Sequence, residues 1–230
     1  MKTKSVSSNL ISSTTAFVLC ITGTLLSANA KAAAATTGQL APIPTTADTW
    51  IRSDTPTVSP SSGTGTEIAI GQTNGTSIMR GLLSFDLSGV SLPEGKIFVS
   101  AELDIMFSKP DGSGFTDSQL MIGIHELATG FDEATATWNN SAASVAWKTG
   151  GGDFDATNVL ASRSVPTTTT AYSRLTWADD NLNKFVASAL AGGEGGTSTV
   201  NLLLARETLC IHVIRTTGCA TPIRSRRACC

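Results

Sequence analysis

Few side chains in this chain have the types and spacing that chemistry demands. Its 230 residues include two histidines, His125 and His212, a single tyrosine, Tyr172, and five cysteines. His125 stands inside the apolar stretch LMIGIHEL (120–127), where a histidine reads as a hydrogen-bonded side chain and not as a general base. No GxSxG elbow occurs, so no serine is presented on the sharp turn that a hydrolase nucleophile uses. The carboxylate pairs Asp132 with Glu133 and Asp179 with Asp180 are neighbours in sequence. On a strand such neighbours point apart, whereas glycosidic hydrolysis needs two carboxyls roughly 5 to 10 Å apart across a sugar. No catalytic constellation emerges, and the expectation is of a chain that is not an enzyme.

Binding chemistry is better represented. Sugar rings stack their C–H faces on exposed aromatics, and Trp50, Phe115, Trp138, Trp147, Tyr172 and Trp177 are the rings available for it. Large aromatics are mostly buried, so Trp138 and Trp147 read first as core. A carboxylated sugar also needs a guanidinium or ammonium, preferably as a fork. Arg52, Arg80, Lys109 and Arg174 fall on or near strand faces and are the candidates, with Tyr172 as the accompanying ring. The loop GGGDFDATN (150–158) offers Asp153, Asp155 and backbone carbonyls, oxygen ligands of the kind Ca2+ takes. Its spacing is not that of an EF-hand, and turn-forming aspartate is the competing reading.

Those residues sit in a chain of one-domain size, with 41% hydrophobic and 15% charged residues. No basic stripe marks a nucleic-acid surface. Lys2 and Lys4, the apolar run from Ala16 to Leu26 and the small residues Ala28 and Ala30 follow the order of a cleaved secretory signal. The run is too short and too rich in Thr and Gly to span a bilayer. Residues 1–30 are therefore expected to be a leader, the protein to be secreted or held at the cell surface, and no membrane span to remain. Residues 31–44 lack periodicity and read as a linker. Between residues 31 and 207 stand ten Lys and Arg against 18 Asp and Glu, a balance of −8.

The elements that must position these residues have a period of two. In VSAELDIMF (99–107), Val99, Ala101, Leu103, Ile105 and Phe107 share one face, and Ser100, Glu102 and Asp104 share the other, the mark of a strand with one dry face. Leu83, Phe85 and Leu87 alternate with Leu82, Ser84 and Asp86 in the same way. SGVSLPEG between these strands has turn composition. LMIGIHEL, NVLASRSV, YSRLTW and TVNLLLAR predict four more strands. A single helix is predicted over 181–191, capped by Asp179 or Asp180, with Leu182, Phe185, Val186 and Ala189 at helical spacing and glycines 192 and 193 ending it. Many short strands separated by turns predict an all-β antiparallel sandwich, a jelly roll with one short helix.

The segments ADTWIRSDTP, RGLLSFDLSGVSLPEGKIFVSAELDI, TATWNN, VAWKTGGGDFDA and TSTVNLLLARE together resemble the DNRLRE-type domain of secreted bacterial and archaeal surface proteins. That domain is similar to disaggregatase-related repeats and to a carbohydrate-binding module family with alginate-binding members. The resemblance covers residues 45–207. It implies a non-catalytic extracellular module that holds an acidic polysaccharide such as a uronate polymer. A purely structural surface or matrix domain is the alternative, and a polysaccharide-degrading enzyme a weaker one.

Residues 208–230, TLCIHVIRTTGCATPIRSRRACC, break the pattern, with four Arg, no acidic residue and Cys210, Cys219, Cys229 and Cys230. Two disulfides are open to an exported chain, whereas the absence of a CxxC pair argues against zinc. The preferred reading is that this tail is the product of a reading-frame change.

Overall fold

The computed structural model describes residues 16–23, 36–60, 67–73, 77–94, 96–108, 119–166, 168–169, 171–192 and 199–207. The strands, in chain order, are β1 (Ala16–Gly23), β2 (Thr36–Gln39), β3 (Ile43–Pro44), β4 (Ala47–Arg52), β5 (Gly71–Thr73), β6 (Ser77–Asp86), β7 (Lys96–Phe107), β8 (Gln119–Glu126), β9 (Asn140–Ala142), β10 (Val145–Ala146), β11 (Ala161–Pro166), β12 (Ser173–Trp177) and β13 (Thr199–Arg206). The helix α1 (Asp180–Ala191) lies between β12 and β13. This is an all-β antiparallel sandwich with one short helix.

Its larger sheet has the order β11-β8-β13-β6-β4, with β5 on β6. The other has the order β12-β7-β1-β2, with β3 on β1. Leu83, Phe85, Ile122, Ile124, Leu202 and Leu204 of the larger sheet meet Ala101, Leu103, Leu175 and Trp177 of the other, and Leu182 and Val186 of α1 join the same core. The alternation of Leu83 with Phe85 and of Ala101 with Leu103 thus drives the layers together by removing one apolar face of each strand from water. Ile105, expected fully inside, is half-buried against this core.

The helix begins as its sequence predicts. Asp179 is the N-cap, its carboxylate accepting from Asn181 N at 2.9 Å. Asn183 on the first turn accepts from Ala101 N at 2.8 Å, which occupies a β7 backbone donor beyond the stretch that β12 pairs.

Two findings depart from the sequence reading. Leu82, placed on the wet face by alternation, is 0% exposed. A second core lies on that outer face, where Ile51, Leu82, Leu203 and Ala205 are covered by Leu127, Ala136 and Trp147, with Phe131, Trp138 and Phe154 packed around them. The polar-looking segment between β8 and β11 folds back over the sheet, so β6 and β13 are dry on both sides. In the N-terminal region, Thr36–Gln39 and Ile43–Pro44, within the segment read as a linker, are paired as β2 and β3 on β1. β1 itself belongs to the run read as leader. Residues 208–230, with their four cysteines and His212, lie outside the described residues. Among the described residues no helix is long and apolar enough to cross a membrane.

Candidate functional site

Arg80 projects from β6 on the same face as Leu82 and is enclosed by the covering segment. Its guanidinium stacks 4.7 Å from the ring centroids of both Trp138 and Phe154, an arrangement that favours a cation over the aromatic faces. Nη1 donates to the Gly151 carbonyl at 2.6 Å. Nε is buried without a partner, and burial lowers the pKa of the group. The loop can sit this close only because it is built of glycine: Gly151 has φ +90, and a Cβ there would stand 2.3 Å from Arg80 Nη1 and 2.7 Å from Trp138 Cζ2. Arg80 therefore clamps the cover to the sheet, and its cation is engaged within the protein.

Beside it, His125 on β8 is 1% exposed. Its Nδ1 lies 3.2 Å from the carbonyls of both Asp155 and Asn158. Carbonyls only accept, so Nδ1 carries the hydrogen there. Nε2 meets Glu207 Oε1 at 2.6 Å, and Phe154 packs edge-on against the ring. This is the satisfied histidine that the sequence predicts. Glu207 reaches it by lying over Gly123, where a Cβ would meet the carboxylate at 2.2 Å.

The proposed calcium ligands both accept hydrogen bonds from within the protein. Asp153 accepts from Thr149 N at 3.1 Å and Thr129 Oγ1 at 2.9 Å. Asp155 accepts from Thr157 N at 2.8 Å and Oγ1 at 2.7 Å, hydrogen bonds that hold its pKa below the ordinary value. The Asp155 contacts are those of a turn-forming aspartate, whereas Asp153 ties its loop to Thr129, just beyond the end of β8. Among the described residues no three acidic, histidine or cysteine side chains converge on a metal position. A cleft of about 370 Å³ opens beside this loop, lined by Glu126, Lys148, Thr149 and Asn158 together with Asp153, Phe154 and Asp155.

The remaining cations are scattered. Arg52, on β4, forms a two-pronged pair with Asp54, Nε donating to Oδ1 at 2.6 Å, and lies 5.9 Å from the Trp50 ring. Lys109 and Phe115 lie outside the described residues. Of the other rings, Trp147 and Trp177 are buried, their Nε1 groups donating to Thr137 O and Ile122 O at 2.9 and 3.1 Å.

Tyr172 and Arg174 are different, because both face solvent and both stand at the edge formed by β12. Tyr172 is 61% exposed and has φ +63, a left-handed backbone that non-glycine residues seldom adopt. Its N–H donates to Phe107 O at 2.6 Å, which anchors the turn to β7. Two residues on, the Arg174 side chain is 61% exposed and pairs through Nη2 with Asp104, itself almost wholly buried. Burial acts to raise the Asp104 carboxyl, but hydrogen bonds from Arg174 and Thr176 outweigh it, and the pKa lies below the ordinary value. Asp104 also feels Arg163, and Arg174 feels Glu102, so the edge carries both signs.

Of the residues proposed for ligand binding, the structure thus leaves Tyr172 and Arg174 exposed two residues apart in the chain at the β12 edge, and sets Arg52 and Arg80 in the other sheet. Sequence reading missed Glu207, Gly123 and the Trp138–Arg80–Phe154 stack. These partners are far apart in the chain and meet only through cross-strand register and the fold-back of the cover. No protein-family model matches the chain, and the search of curated proteins finds no match either.

Proposed function

We propose that this protein is a non-catalytic, extracellular carbohydrate-binding module that holds an acidic polysaccharide along the edge containing Tyr172 and Arg174. The observation that carries the reading is the exposed Tyr172 ring, carried on a left-handed backbone two residues before an exposed Arg174. Unfavourable backbone geometry at an exposed aromatic is the kind of local cost that accompanies binding sites. A pyranose face stacks on such a ring, while Arg174 has donors left for a uronate carboxylate after one is given to Asp104. The overall acidity of the domain opposes a polyanion, so binding rests on this local group and weakens with salt.

The test is affinity electrophoresis and titration with alginate, polygalacturonate and a neutral glucan. Tyr172→Asn removes the ring yet keeps a residue that tolerates φ > 0. It is expected to weaken uronate binding by about tenfold, or ~1.4 kcal/mol, at unchanged melting temperature. Binding by the unaltered protein that is equally tight for the neutral glucan and indifferent to salt would falsify the acidic-polysaccharide assignment. A structural surface domain is the second reading, supported by the engagement of Arg52 with Asp54 and of Arg80 with its two rings and Gly151. It predicts no binding to any of the three polymers.

A further inference from the structure

A groove lies at the end of β8 remote from Tyr172. The cleft beside the 150–158 loop meets a second one, also about 370 Å³, between β13 and α1. Glu126, the last residue of β8, and Ala128 just beyond it line both clefts. Register brings the walls together. Leu202 on β13 stands opposite Glu126, and Leu127 N donates to Asn201 O at 3.0 Å. On the other side Ala128 N donates to Asp153 O at 2.9 Å, which draws the loop against the strand. The far end of β8, at Gln119, pairs with Pro166, from which the chain turns towards Tyr172. A strand rises about 3.3 Å per residue, so the groove is roughly 20 Å from that end. It is a separate place from the β12 edge.

Its side chains indicate a class of ligand. One half-buried ring lines each cleft, Phe154 in the first and Phe185 in the second. Phe154 is held in place, with Arg80 stacked 4.7 Å from its centroid and His125 edge-on at 5.0 Å. A ring already fixed gives up little freedom when a ligand settles on it. The polar groups around the rings are uncommitted. Among the described residues, the side chains of Glu126, Lys148, Asn158, Ser188 and Asn201 make no hydrogen bond or ion pair. Arg52 and Arg80 differ in this respect, since both are engaged within the protein. Flat apolar rings flanked by spare amide and hydroxyl groups suit a ligand with C–H faces and many hydroxyls, which is a saccharide. Charge narrows the class. Glu126, Asp153 and Asp155 outnumber Lys148 along the first cleft, so a uronate is repelled there and an amine attracted. Glu126 is the carboxylate left free to meet that amine, at the junction of the two clefts.

We propose that this groove is a second saccharide site, which takes a short oligosaccharide bearing amino groups. One sugar unit stacks on Phe154 and another on Phe185. An ammonium group between them pairs with Glu126, and ring hydroxyls meet Asn158, Ser188 and Asn201. The volume of each cleft lies at the lower end of the range for small-ligand pockets, about 300 to 1,000 Å³, which suits one or two sugar units apiece. The inference does not depend on uronate binding at the β12 edge.

The experiment titrates the full chain calorimetrically with a glucosamine hexamer, under mildly acid conditions that keep its amines charged. Cellohexaose and a lysine hexamer are the comparisons. Three variants accompany the unaltered protein, each with its melting temperature recorded. Ala128→Trp places a large ring at the exposed position that both clefts share. Glu126→Gln and Asn201→Ala alter side chains without internal partners, and they can be read even where Ala128→Trp does not fold. The glucosamine hexamer is expected to bind about tenfold more tightly than either comparison. Glu126→Gln and Asn201→Ala should each weaken it by about tenfold, and Ala128→Trp should abolish it, whereas Tyr172→Asn should leave it unchanged. Absence of saturable binding overturns the proposal. Equal affinity for cellohexaose overturns the amine assignment, and equal affinity for the lysine hexamer reduces the effect to charge attraction and overturns the sugar assignment. Binding that survives all three groove variants, or that is lost in Tyr172→Asn, places the sugar elsewhere and overturns it too. Uronate polymers are not among these readouts, so failure of the functional reading is seen separately.

Discussion

His125 Nε2 and Glu207 Oε1 stand 2.6 Å apart, one on β8 and the other just beyond β13, with the imidazole 1% exposed. The opposite ring nitrogen faces the Asp155 and Asn158 carbonyls. One buried side chain therefore ties the end of β13 to the loop that covers the sheet.

Glu207→Ala leaves that buried Nε2 without its partner, which is expected to cost about 1 to 3 kcal/mol. Gly123→Ala acts on the same contact by pushing the carboxylate away from the ring. Because the two changes share one interaction, the double variant should cost close to the larger single value. Urea denaturation of the four proteins checks this, and strictly additive losses would show that the two residues are not coupled.

Arg80 gives a second contrast. Its guanidinium is stacked between two rings, with Nε unpaired. Arg80→Met keeps most of the packing and removes a desolvated charge, so a change under about 1.5 kcal/mol is expected. Arg80→Ala empties the space between Trp138 and Phe154 and should cost about 2 to 5 kcal/mol, the range for large-to-small changes in a core. Both are read from denaturation midpoints. If Met proves as costly as Ala, the charge and not the volume holds the cover in place.

Leu82 and Leu83 point to opposite faces of β6, and both are 0% exposed. Alanine at either position, or at Leu103, should cost about 2 to 5 kcal/mol. A near-neutral Leu82→Ala, measured by thermal or chemical melts, would mean that the outer cover does not seal that face in solution.

The pair of Asp104 with Arg174 sets a pH response. The folded pKa of Asp104 is below its ordinary value, so the unfolded chain binds the proton more tightly, and stability rises with pH through this window. The contribution is complete above the ordinary carboxylate pKa of about 3.9 and is lost as pH falls through the lower folded value. Melting temperatures recorded from pH 7 down to pH 2 should show an acid decline that is shallower in Asp104→Asn than in the unaltered protein. Parallel profiles would remove Asp104 from the account.

The sequence alone determined the sandwich class, the helix with its Asp179 cap, and the inner core, because period-two and helical spacing are local properties that record which face of each element leaves water. Leu83, Phe85, Leu103 and Leu202 were legible for that reason. The fate of the opposite face was not. Leu82 alternates as a solvent-facing residue does, and only the return of the segment between β8 and β11 over β6 and β13 makes it core. The same return decides the role of the arginines. Arg80 looks like a strand-face cation until Trp138 and Phe154 close on it, and Arg174 differs from it in staying at an open edge with Tyr172. Gly123 carries no signal until register lays Glu207 over it. These are contacts between residues far apart in the chain, and their partners are chosen by strand order and packing, which a local pattern does not encode.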